Sequence, residues 1–268
     1  MINNYQKHAK EIRRNIVKMV AFSRAAHIGS ALSIVDILTV LYFKILKIRS
    51  NQPDWSGRDK LIFSKGHAAT ALYSTLVQRG FASKKCLDNY YGNNTKLAGH
   101  PVRGCMPGIE VSTGSLGHGL SISLGIAMAN KYDKRHSRIF TILSEGDCDE
   151  GSTWEAAMVA GHLKLDNLVA IVDYNKIQAM GRVKDIMDLE PFKEKWQSFG
   201  WSVKEIDGHN YLEIEKSLKK IPFEKNKPSI VIAHTIKGKG VSFMEDSLTW
   251  HYKYPNEKEL KQALLELK

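Results

Sequence analysis

The stretch at residues 142–177 limits the possible folds of this 268-residue chain more than any other part of it. An apolar run at 139–143 leads into an acidic, glycine-containing loop at 144–151, and apolar residues at helical spacing follow. A second apolar run at 168–172 ends close to Asn175. This is a strand–helix–strand unit, which is parallel and right-handed by default. We therefore expect an α/β fold of three layers, with a mostly parallel central sheet and helices on both faces.

Polar residues follow both strands of this unit. The first strand is followed by Glu145 and Asp147, and the second by Asn175. Parallel strands bring such residues to one carboxyl edge, where open α/β sheets bind ligands. A carboxylate, an amide oxygen and a backbone carbonyl suit Mg²⁺ or Ca²⁺, and Mg²⁺ takes its remaining ligands from water and phosphates. The pattern predicts a metal–diphosphate site, although polar residues of this kind follow strands in many parallel α/β proteins.

The composition is typical of a soluble globular chain, with 43% hydrophobic and 25% charged residues. The length fits one large domain over residues 1–268. No apolar run is long enough for a transmembrane helix, and the first residues lack the apolar region of a secretory signal. Cys86, Cys105 and Cys148 have no CxxC spacing. A sparse, odd set of cysteines predicts a reducing, cytoplasmic location rather than a disulfide framework.

The chain has a formal net charge of +11. Nucleic acid is one possible cause of such a charge. The basic residues, however, are spread along the chain and mixed with acidic ones, and no nucleic-acid-binding signature accompanies them. Scattered surface lysines are the simpler explanation, so we expect neither a nucleic-acid nor a membrane partner. A positive field would also favour a phosphorylated ligand.

Periodicity predicts the remaining elements. Residues 4–25 show helical spacing, Ser30 is a candidate cap for a helix at about 34–45, and residues 60–63 form a short strand. A loop is predicted at 178–188. The other predicted elements are a helix at 191–200, a strand at 201–207, a helix at 208–221, a strand at 228–236 and a final helix at 256–267.

Three histidines lie in loops where a ligand could approach. His27 follows the first helix and has small neighbours. His67 ends a Ser-Lys-Gly-His turn between a strand and a helix, where backbone N–H groups could hold an anion and the imidazole could add a donor. His100 lies in an extended segment because Pro101 disfavours helix at the preceding residue. For His27 an ordinary solvated loop, and for the turn at His67 a capping serine, are the alternatives that these segments leave open.

Glycines precede the apolar helix that begins near residue 118. The order of Gly114, Gly117 and Gly119 is GxxGxG, which is neither the dinucleotide-binding GxGxxG nor a P-loop. Such an entry into a helix permits close approach of a phosphate, or close packing of the helix itself. The segment alone leaves both interpretations open.

Taken together, the motifs resemble the N-terminal, thiamine-diphosphate-binding half of transketolases, and especially the short chains in which that half is a separate subunit. The resemblance covers nearly the whole chain and implies the thiamine diphosphate-binding fold. It rests on RAAHIGSALS, FSKGHAATALY, AGHP, STGSLGHGL, DEGSTWEAA, and AHTIKGKGVSFME followed by Trp250 and His251.

The resemblance assigns roles to individual residues. The four histidines match groups that contact the diphosphate or the sugar substrate: His27, His67, His100 and His251. Cofactor-lining positions are matched by Gly114, Leu116 and Gly146. Glutamates of the subunit interface, which help to relay protons, are matched by Glu150 and Glu155. Metal ligands are matched by Glu145, Asn175 and the carbonyl of Ile177.

One departure from the family pattern concerns the metal site. The family usually has Gly-Asp-Gly, or Ser-Asp-Gly-Glu, where this chain has Ser-Glu-Gly-Asp at residues 144–147. An alignment without gaps, with DEGSTWEAA held in place, puts the metal-binding aspartate on Glu145, whereas a match to Asp147 requires a gap. We therefore predict Glu145 as the ligand. A longer carboxylate in an octahedral site could lower the affinity for Mg²⁺.

The implied activity is the transfer of a two-carbon ketol unit from a ketose donor to an aldose acceptor, with thiamine diphosphate and Mg²⁺ (or Ca²⁺) as cofactors. In this family, cofactor activation needs a glutamate of the pyrimidine-binding domain, which lies beyond this chain. The chain is therefore expected to be inactive alone. Its expected partner is a C-terminal subunit, with which it would form a heterotetramer (α₂β₂) that acts on sugars or sugar phosphates.

Two alternatives remain open at this point. The chain could belong to a specialised thiamine-diphosphate synthase of sugar or surface-polysaccharide biosynthesis. It could instead be a regulatory or scaffolding subunit that has lost metal binding. The exchanged acidic residues at positions 145 and 147, Glu and Asp in place of the family's Asp and Glu, would then be the sign of that loss.

Overall fold

A five-stranded parallel sheet forms the centre of the computed structural model, which describes residues 2–268. The strand order is β1-β2-β3-β5-β4, and every neighbouring pair is parallel. This confirms the α/β fold expected from the apolar runs. The strands are β1 (Lys60–Phe63), β2 (Ile139–Ser144), β3 (Leu168–Tyr174), β4 (Ser202–Asp207) and β5 (Ser229–His234).

Ten α-helices are distributed along the described residues. They are α1 (Ile2–Ser23), α2 (Ile28–Ser33), α3 (Val35–Val40), α4 (Ala69–Arg79), α5 (His118–Tyr132), α6 (Gly151–His162), α7 (Val183–Ile186), α8 (Phe192–Ser198), α9 (Tyr211–Leu218) and α10 (Glu257–Glu266). A π-helical turn lies at Leu41–Ile45, and 3₁₀ turns lie at Gly66–Ala68, Lys84–Asn89, Gly146–Asp149 and Leu248–His251.

The sheet separates two hydrophobic cores, which confirms the three layers. Along β2, Phe140 and Ile142 enter the core formed with α1 to α4, α9 and α10. Ile139 and Leu143 enter the other core, which contains residues of α5, α6 and α8. Because both faces are covered, β2 and β3 are buried along their whole length. This is why their sequences read as continuous apolar runs.

The register of the strands brings their carboxyl ends level. The β2–β3 pairing runs from Ile139 opposite Leu168 to Ser144 opposite Asp173. The β3–β5 pairing ends at Tyr174 opposite His234. The segments that follow β1, β2, β3 and β5 therefore begin at one edge of the sheet. This edge is where the ligand site was predicted.

Two local predictions were wrong. The helix expected at about 34–45 is present as α3 followed by the π-helical turn, but Ser30 does not cap it. Ser30 is buried inside the preceding helix α2, and the N-cap of α3 is Ile34. The loop expected at 178–188 contains the short helix α7. Both misses are at element boundaries, where tertiary contacts override local signals.

Within residues 2–268, none of the helices combines the length and the apolar character needed to span a membrane.

Candidate functional site

A cavity of about 280 Å³ opens at the carboxyl edge of the sheet. It contains every residue to which the sequence assigned a site role except Glu150 and Glu155, which are exposed elsewhere. The lining residues are His27, Ser30, His67, His100, Gly114, Leu116, Ser144, Glu145, Gly146, Asn175, Ile177, Gln178, Ala179 and His251. Residues from widely separated parts of the chain therefore share one site.

Four imidazole rings form one wall of the cavity. The ring centroid of His27 lies 4.9 Å from that of His251, 5.5 Å from that of His67 and 6.2 Å from that of His100. The rings of His67 and His251 are 6.3 Å apart. Such a cluster presents several hydrogen-bonding nitrogens to one small volume.

The backbone of His27 is held in an unusual conformation at this wall. Its φ of 73° is left-handed, and the residue immediately precedes α2. Its N–H donates to the carbonyl of His251 at 2.7 Å. A non-glycine residue in the left-handed region costs about 1–3 kcal/mol, and such residues persist where surrounding contacts determine them. Here the contact with His251 ties the two imidazole-bearing segments together.

Gly114 permits the close approach of His100. Its φ of 153° lies in a region that disfavours side chains, and a Cβ there would be 3.1 Å from Cδ2 of His100. Any larger residue would push the ring out of its place. Gly119 packs closely as well, since a Cβ there would be 2.3 Å from the side chain of Ser64, so the segment serves helix packing and the approach of a phosphate stays a prediction.

Burial keeps the histidines of the cavity uncharged near neutral pH. Burial, followed by repulsion from His100 and Lys237, lowers the pKa of His27 to about 4. Burial and the nearby Lys237 lower the pKa of His251 to about 3. The pKa of His67 lies well below its ordinary value because of burial and the positive charge of Lys65. Each ring therefore offers one donor and one acceptor nitrogen.

We expect the imidazole NMR signals of His27, His67 and His251 to stay those of neutral rings from about pH 5.5 to about pH 8, since each pKa is lowered from the ordinary value of 6.5. The measurement is a ¹⁵N-imidazole titration of the chain, with single His→Gln variants to assign the signals. A midpoint between pH 6 and 7 for any of the three would contradict this electrostatic description.

Only one of the two candidate carboxylates faces the cavity. Glu145 lines it, and its Oε1 accepts from the N–H of Lys176 at 2.6 Å. Asp147 instead accepts from the hydroxyl of Ser64 at 2.6 Å and from the N–H of Gly117 at 3.0 Å. Its other oxygen accepts from the N–H and hydroxyl of Ser144. Both oxygens of Asp147 are therefore engaged in holding the loop.

The surroundings of Glu145 are suited to a cation. Burial, with repulsion from Asp173 second, raises the pKa of Glu145 to about 7. A buried carboxylate that resists ionisation in this way is stabilised by any cation placed beside it. The residues present therefore fit a divalent metal ion beside Glu145.

The neutral ligand candidates lie next to it. Oδ1 of Asn175 accepts from the N–H of Ile177 at 3.2 Å, and the carbonyl of Ile177 accepts from Nζ of Lys237 at 2.8 Å. A carbonyl oxygen has two lone pairs, so one remains for a metal. Within residues 2–268, no group of three or more His, Cys, Asp or Glu side chains is arranged to hold a metal ion. One carboxylate, one amide and one carbonyl are an incomplete set that phosphate oxygens would complete.

A family model supplies the deciding comparison. Residues 4–265 match the model of the transketolase thiamine diphosphate binding domain. This chain belongs to the transketolase family. It is a transketolase-type transferase chain of the thiamine-diphosphate-binding kind, as the ordered motifs indicated.

Relatives in the transketolase family show the same length. The chain is 40% identical over 266 residues to a subunit of the apulose-4-phosphate transketolase of Phocaeicola vulgatus, covering 99% of this chain and 94% of that protein. It is 41% identical over 262 residues to the SqwG subunit of the 6-deoxy-6-sulfo-D-fructose transketolase of a Clostridium species, covering 98% and 95%.

A solved transketolase has the same fold. The crystal structure of transketolase from Campylobacter jejuni superposes with a TM-score of 0.94 at 33% identity, over 100% of this chain and 43% of that one. The chain thus spans less than half of the solved transketolase and almost the full length of the separate subunits.

The sequence did not single out Lys237, which contacts two of the residues that line the cavity. Its ammonium is fully buried and lies 2.8 Å from the carbonyl of Ile177 and 2.9 Å from Nδ1 of His251. Burial lowers its pKa to about 8. Its position in KGKG directly after β5, at the same carboxyl edge as Asn175, was a usable signal.

A buried ion pair beneath the cavity was also missed. Lys65 and Asp173 are in contact, and both side chains are fully buried. Asp173 further accepts from the hydroxyls of Ser33 (2.6 Å) and Thr235, and Lys65 donates to the carbonyl of Ser30 at 3.1 Å. Removing one member of such a pair leaves an uncompensated buried charge. The pair therefore ties α2 to the ends of β1, β3 and β5.

Proposed function

We propose that this chain is the cofactor-binding subunit of a two-subunit transketolase that transfers a two-carbon ketol unit from a ketose to an aldose. The observation that carries the proposal is the convergence of four uncharged imidazoles with Glu145, Asn175 and the carbonyl of Ile177 in one cavity. The relatives described as transketolase subunits, which match in length, support it.

Within this site, Glu145, Asn175 and the carbonyl of Ile177 would hold Mg²⁺ (or Ca²⁺). The diphosphate would lie against His67 and Lys237, with Gly114, Leu116 and Gly146 lining its course. When bound, thiamine diphosphate supplies the carbanion chemistry on which ketol transfer depends. The residues of this chain would bind the cofactor, orient it and neutralise its charge.

The sugar would meet the imidazoles of His27, His100 and His251. Because their pKa values are lowered, these rings are neutral at pH 7 and are able both to donate and to accept hydrogen bonds. Donors placed where charge develops on a sugar oxygen stabilise the transition state more than the ground state. This is the role we assign to the histidines.

A surface formed by α5 and α6 is suited to a partner. Glu150 is exposed just before α6, and Glu155 is exposed on that helix. On α5 and α6, large apolar side chains are also exposed: Met128, Tyr132, Met158, Val159 and the adjoining Leu163. Exposed apolar groups of this extent mark association surfaces. We assign them to self-association within a heterotetramer, with Glu150 and Glu155 relaying protons at the interface.

We expect the chain alone to show no transketolase activity with ketose donors, because the glutamate that acts on the aminopyrimidine belongs to the C-terminal subunit. Mixing with that subunit should restore activity. Calorimetric titration of thiamine diphosphate with Mg²⁺ into the chain alone, and into the mixture, should show tight binding only in the mixture. Turnover of a ketose by the chain alone would contradict the requirement for a C-terminal subunit. Absence of thiamine diphosphate binding both to the chain alone and to the mixture would favour the scaffolding alternative.

The substrate is proposed to be a sugar or sugar phosphate of a specialised pathway. The two relatives named above carry descriptions that specify a sugar phosphate and a sulfo-sugar, and both sugars are anionic. Activity of the assembled enzyme with phosphorylated, sulfonated and neutral ketoses would show whether anionic sugars are preferred to neutral ones.

We place the chain, as a single domain, in the cytoplasm, since Cys86, Cys105 and Cys148 are free thiols.

A further inference from the structure

We propose that His209 and Arg13 are positioning residues, joined through Asp36, that hold segment 236–240 and thereby keep the ammonium of Lys237 against Ile177 and His251, two residues that line the cavity. Neither His209 nor Arg13 lines the cavity itself. The inference rests on the proposed function in one respect, because it takes Lys237 to contact the bound cofactor.

Asp36, on α3, is the centre of this arrangement. Its carboxylate accepts two hydrogen bonds from the guanidinium of Arg13, at 2.9 and 2.7 Å. It also accepts from Nδ1 of His209 at 2.8 Å and from the hydroxyl of Tyr211 at 2.6 Å. Arg13 belongs to α1 and Tyr211 to α9, so one buried carboxylate joins three elements of the same layer.

Two of these partners reach on to segment 236–240. Nε2 of His209 accepts from the N–H of Ile236 at 2.8 Å. Because Nε2 is an acceptor there, the ring proton is on Nδ1, where it is donated to Asp36. Nε of Arg13 donates to the carbonyl of Lys239 at 2.9 Å. The segment is therefore held on both sides of Lys237 by side chains that Asp36 orients.

The backbone of the segment leaves little room for adjustment. The N–H of Gly238 donates to the carbonyl of Gly29 at 2.9 Å, and the carbonyl of Lys237 accepts from the N–H of Asp246 at 2.8 Å. Gly238 has a φ of +81°, and a Cβ there would be 2.1 Å from the carbonyl oxygen of Met244. The backbone of segment 236–240 is therefore closely packed on both sides, and the hydrogen bond from Ile236 to His209 fixes the position of its first residue.

Lys237 depends on this backbone for its position. Its side chain is fully buried and passes 3.0 Å from the place where a Cβ of Gly29 would be. A lysine has several rotatable bonds, so its ammonium reaches Ile177 and His251 only if the backbone starts from the right place. Release of the N–H of Ile236, which is half-buried, would remove the hydrogen bond that fixes the start of the segment and leave it free to move.

A matched pair of variants at position 209 separates positioning from folding. In His209→Asn, the amide nitrogen takes the place of Nδ1 and still donates to Asp36, but nothing accepts from Ile236. In His209→Gln, the longer amide reaches the place of Nε2 and accepts from Ile236, while the donor to Asp36 is lost. Both are measured in the chain reconstituted with its C-terminal subunit, by the Kd of thiamine diphosphate at saturating Mg²⁺, kcat at saturating cofactor, and amide exchange of segment 236–240.

For His209→Asn we expect amide exchange at Ile236 to accelerate and the Kd of thiamine diphosphate to rise by about tenfold or more, as when partners that orient a binding group are lost. The value of kcat at saturating cofactor should change little. His209→Gln should keep cofactor affinity even where its melting temperature falls. Arg13→Lys retains a charge beside Asp36 but does not reach the carbonyl of Lys239. We expect it, like His209→Asn, to raise the Kd of thiamine diphosphate and to accelerate amide exchange in the segment.

A double-mutant comparison with Lys237→Met provides the decisive control. If His209 acts through Lys237, His209→Asn should raise Kd no further in the Lys237→Met background. An equally large increase in that background, or wild-type exchange and Kd in His209→Asn, would overturn the proposal. Unchanged affinity in Lys237→Met would remove the cofactor role of Lys237 from the proposed function. Whether His209 holds segment 236–240 would then be judged from amide hydrogen exchange alone. Faster exchange at residues 236–240 in His209→Asn would support it, and unchanged exchange would contradict it.

Discussion

Glu145→Gln is expected to lower the Mg²⁺-dependent affinity for thiamine diphosphate by at least about 100-fold, which corresponds to about 2.7 kcal/mol. Glu145 is the carboxylate that faces the cavity, and Gln removes its charge while keeping its size and an oxygen for the N–H of Lys176. A hard divalent cation binds anionic oxygen far better than an amide. The measurement is calorimetric titration of the reconstituted enzyme at several Mg²⁺ concentrations.

The matched control for this prediction is Asp147→Asn. Asp147 is buried and accepts from Ser64, Gly117 and Ser144, so its loss should lower the free energy of unfolding. Metal affinity of the folded fraction should remain. The reverse result, with normal binding in Glu145→Gln and lost binding in folded Asp147→Asn, would show that the ligand is misassigned. Normal metal-dependent binding in both variants would exclude both carboxylates as ligands.

Asp36→Asn is expected to lower the free energy of unfolding by about 3–5 kcal/mol, because it leaves the guanidinium of Arg13 buried without its counter-charge. Both side chains of this pair are almost inaccessible, at 8% exposure for Arg13 and 4% for Asp36. The matched control is Asp246→Asn, which breaks the exposed pair with Arg182 and should cost less than about 1 kcal/mol. Urea unfolding at pH 7 measures both. Equal small losses would show that the buried network contributes little.

The same variant should change how stability depends on pH. Burial alone would raise the pKa of Asp36, but Arg13 and the hydrogen bonds from His209 and Tyr211 hold it well below its ordinary value of 3.8. A carboxyl whose pKa is depressed by folding stabilises the fold above the unfolded pKa, and that stability is lost as pH falls below it. The wild-type chain should therefore lose stability on acidification below about pH 5, and Asp36→Asn should show a shallower loss.

The strands and the order of the site segments along the chain were well predicted, for a local reason. The strands β2 and β3 are buried on both faces, so each appears in the sequence as a run of consecutive apolar residues. The polar residues that follow them necessarily lie at the carboxyl edge. Helix boundaries were predicted less well. The start of α2 depends on the left-handed conformation of His27 and on its contact with His251, which no local pattern contains.

Other parts of the site came from resemblance rather than from local pattern. His27, His67, His100 and His251 are spread over most of the chain, and an ordinary structural role was open for the first two until the motifs were considered together. Lys237 was missed because a lysine after a strand is usually a solvated surface residue. Its burial follows from the packing of segment 236–240 against Gly29 and His209.

What the sequence by itself determined was the parallel α/β architecture, the edge of the sheet that carries the site and the family to which the motifs point. Hydrophobic periodicity and strand direction are properties of consecutive residues, so one sequence records them. The alignment without gaps favoured Glu145, but only the tertiary structure shows that Glu145 faces the cavity and Asp147 does not. Glu145 and Asp147 are two positions apart at a 3₁₀ turn. Glu145 lines the cavity and Asp147 accepts a hydrogen bond from Ser64, and this difference depends on elements that only folding brings together.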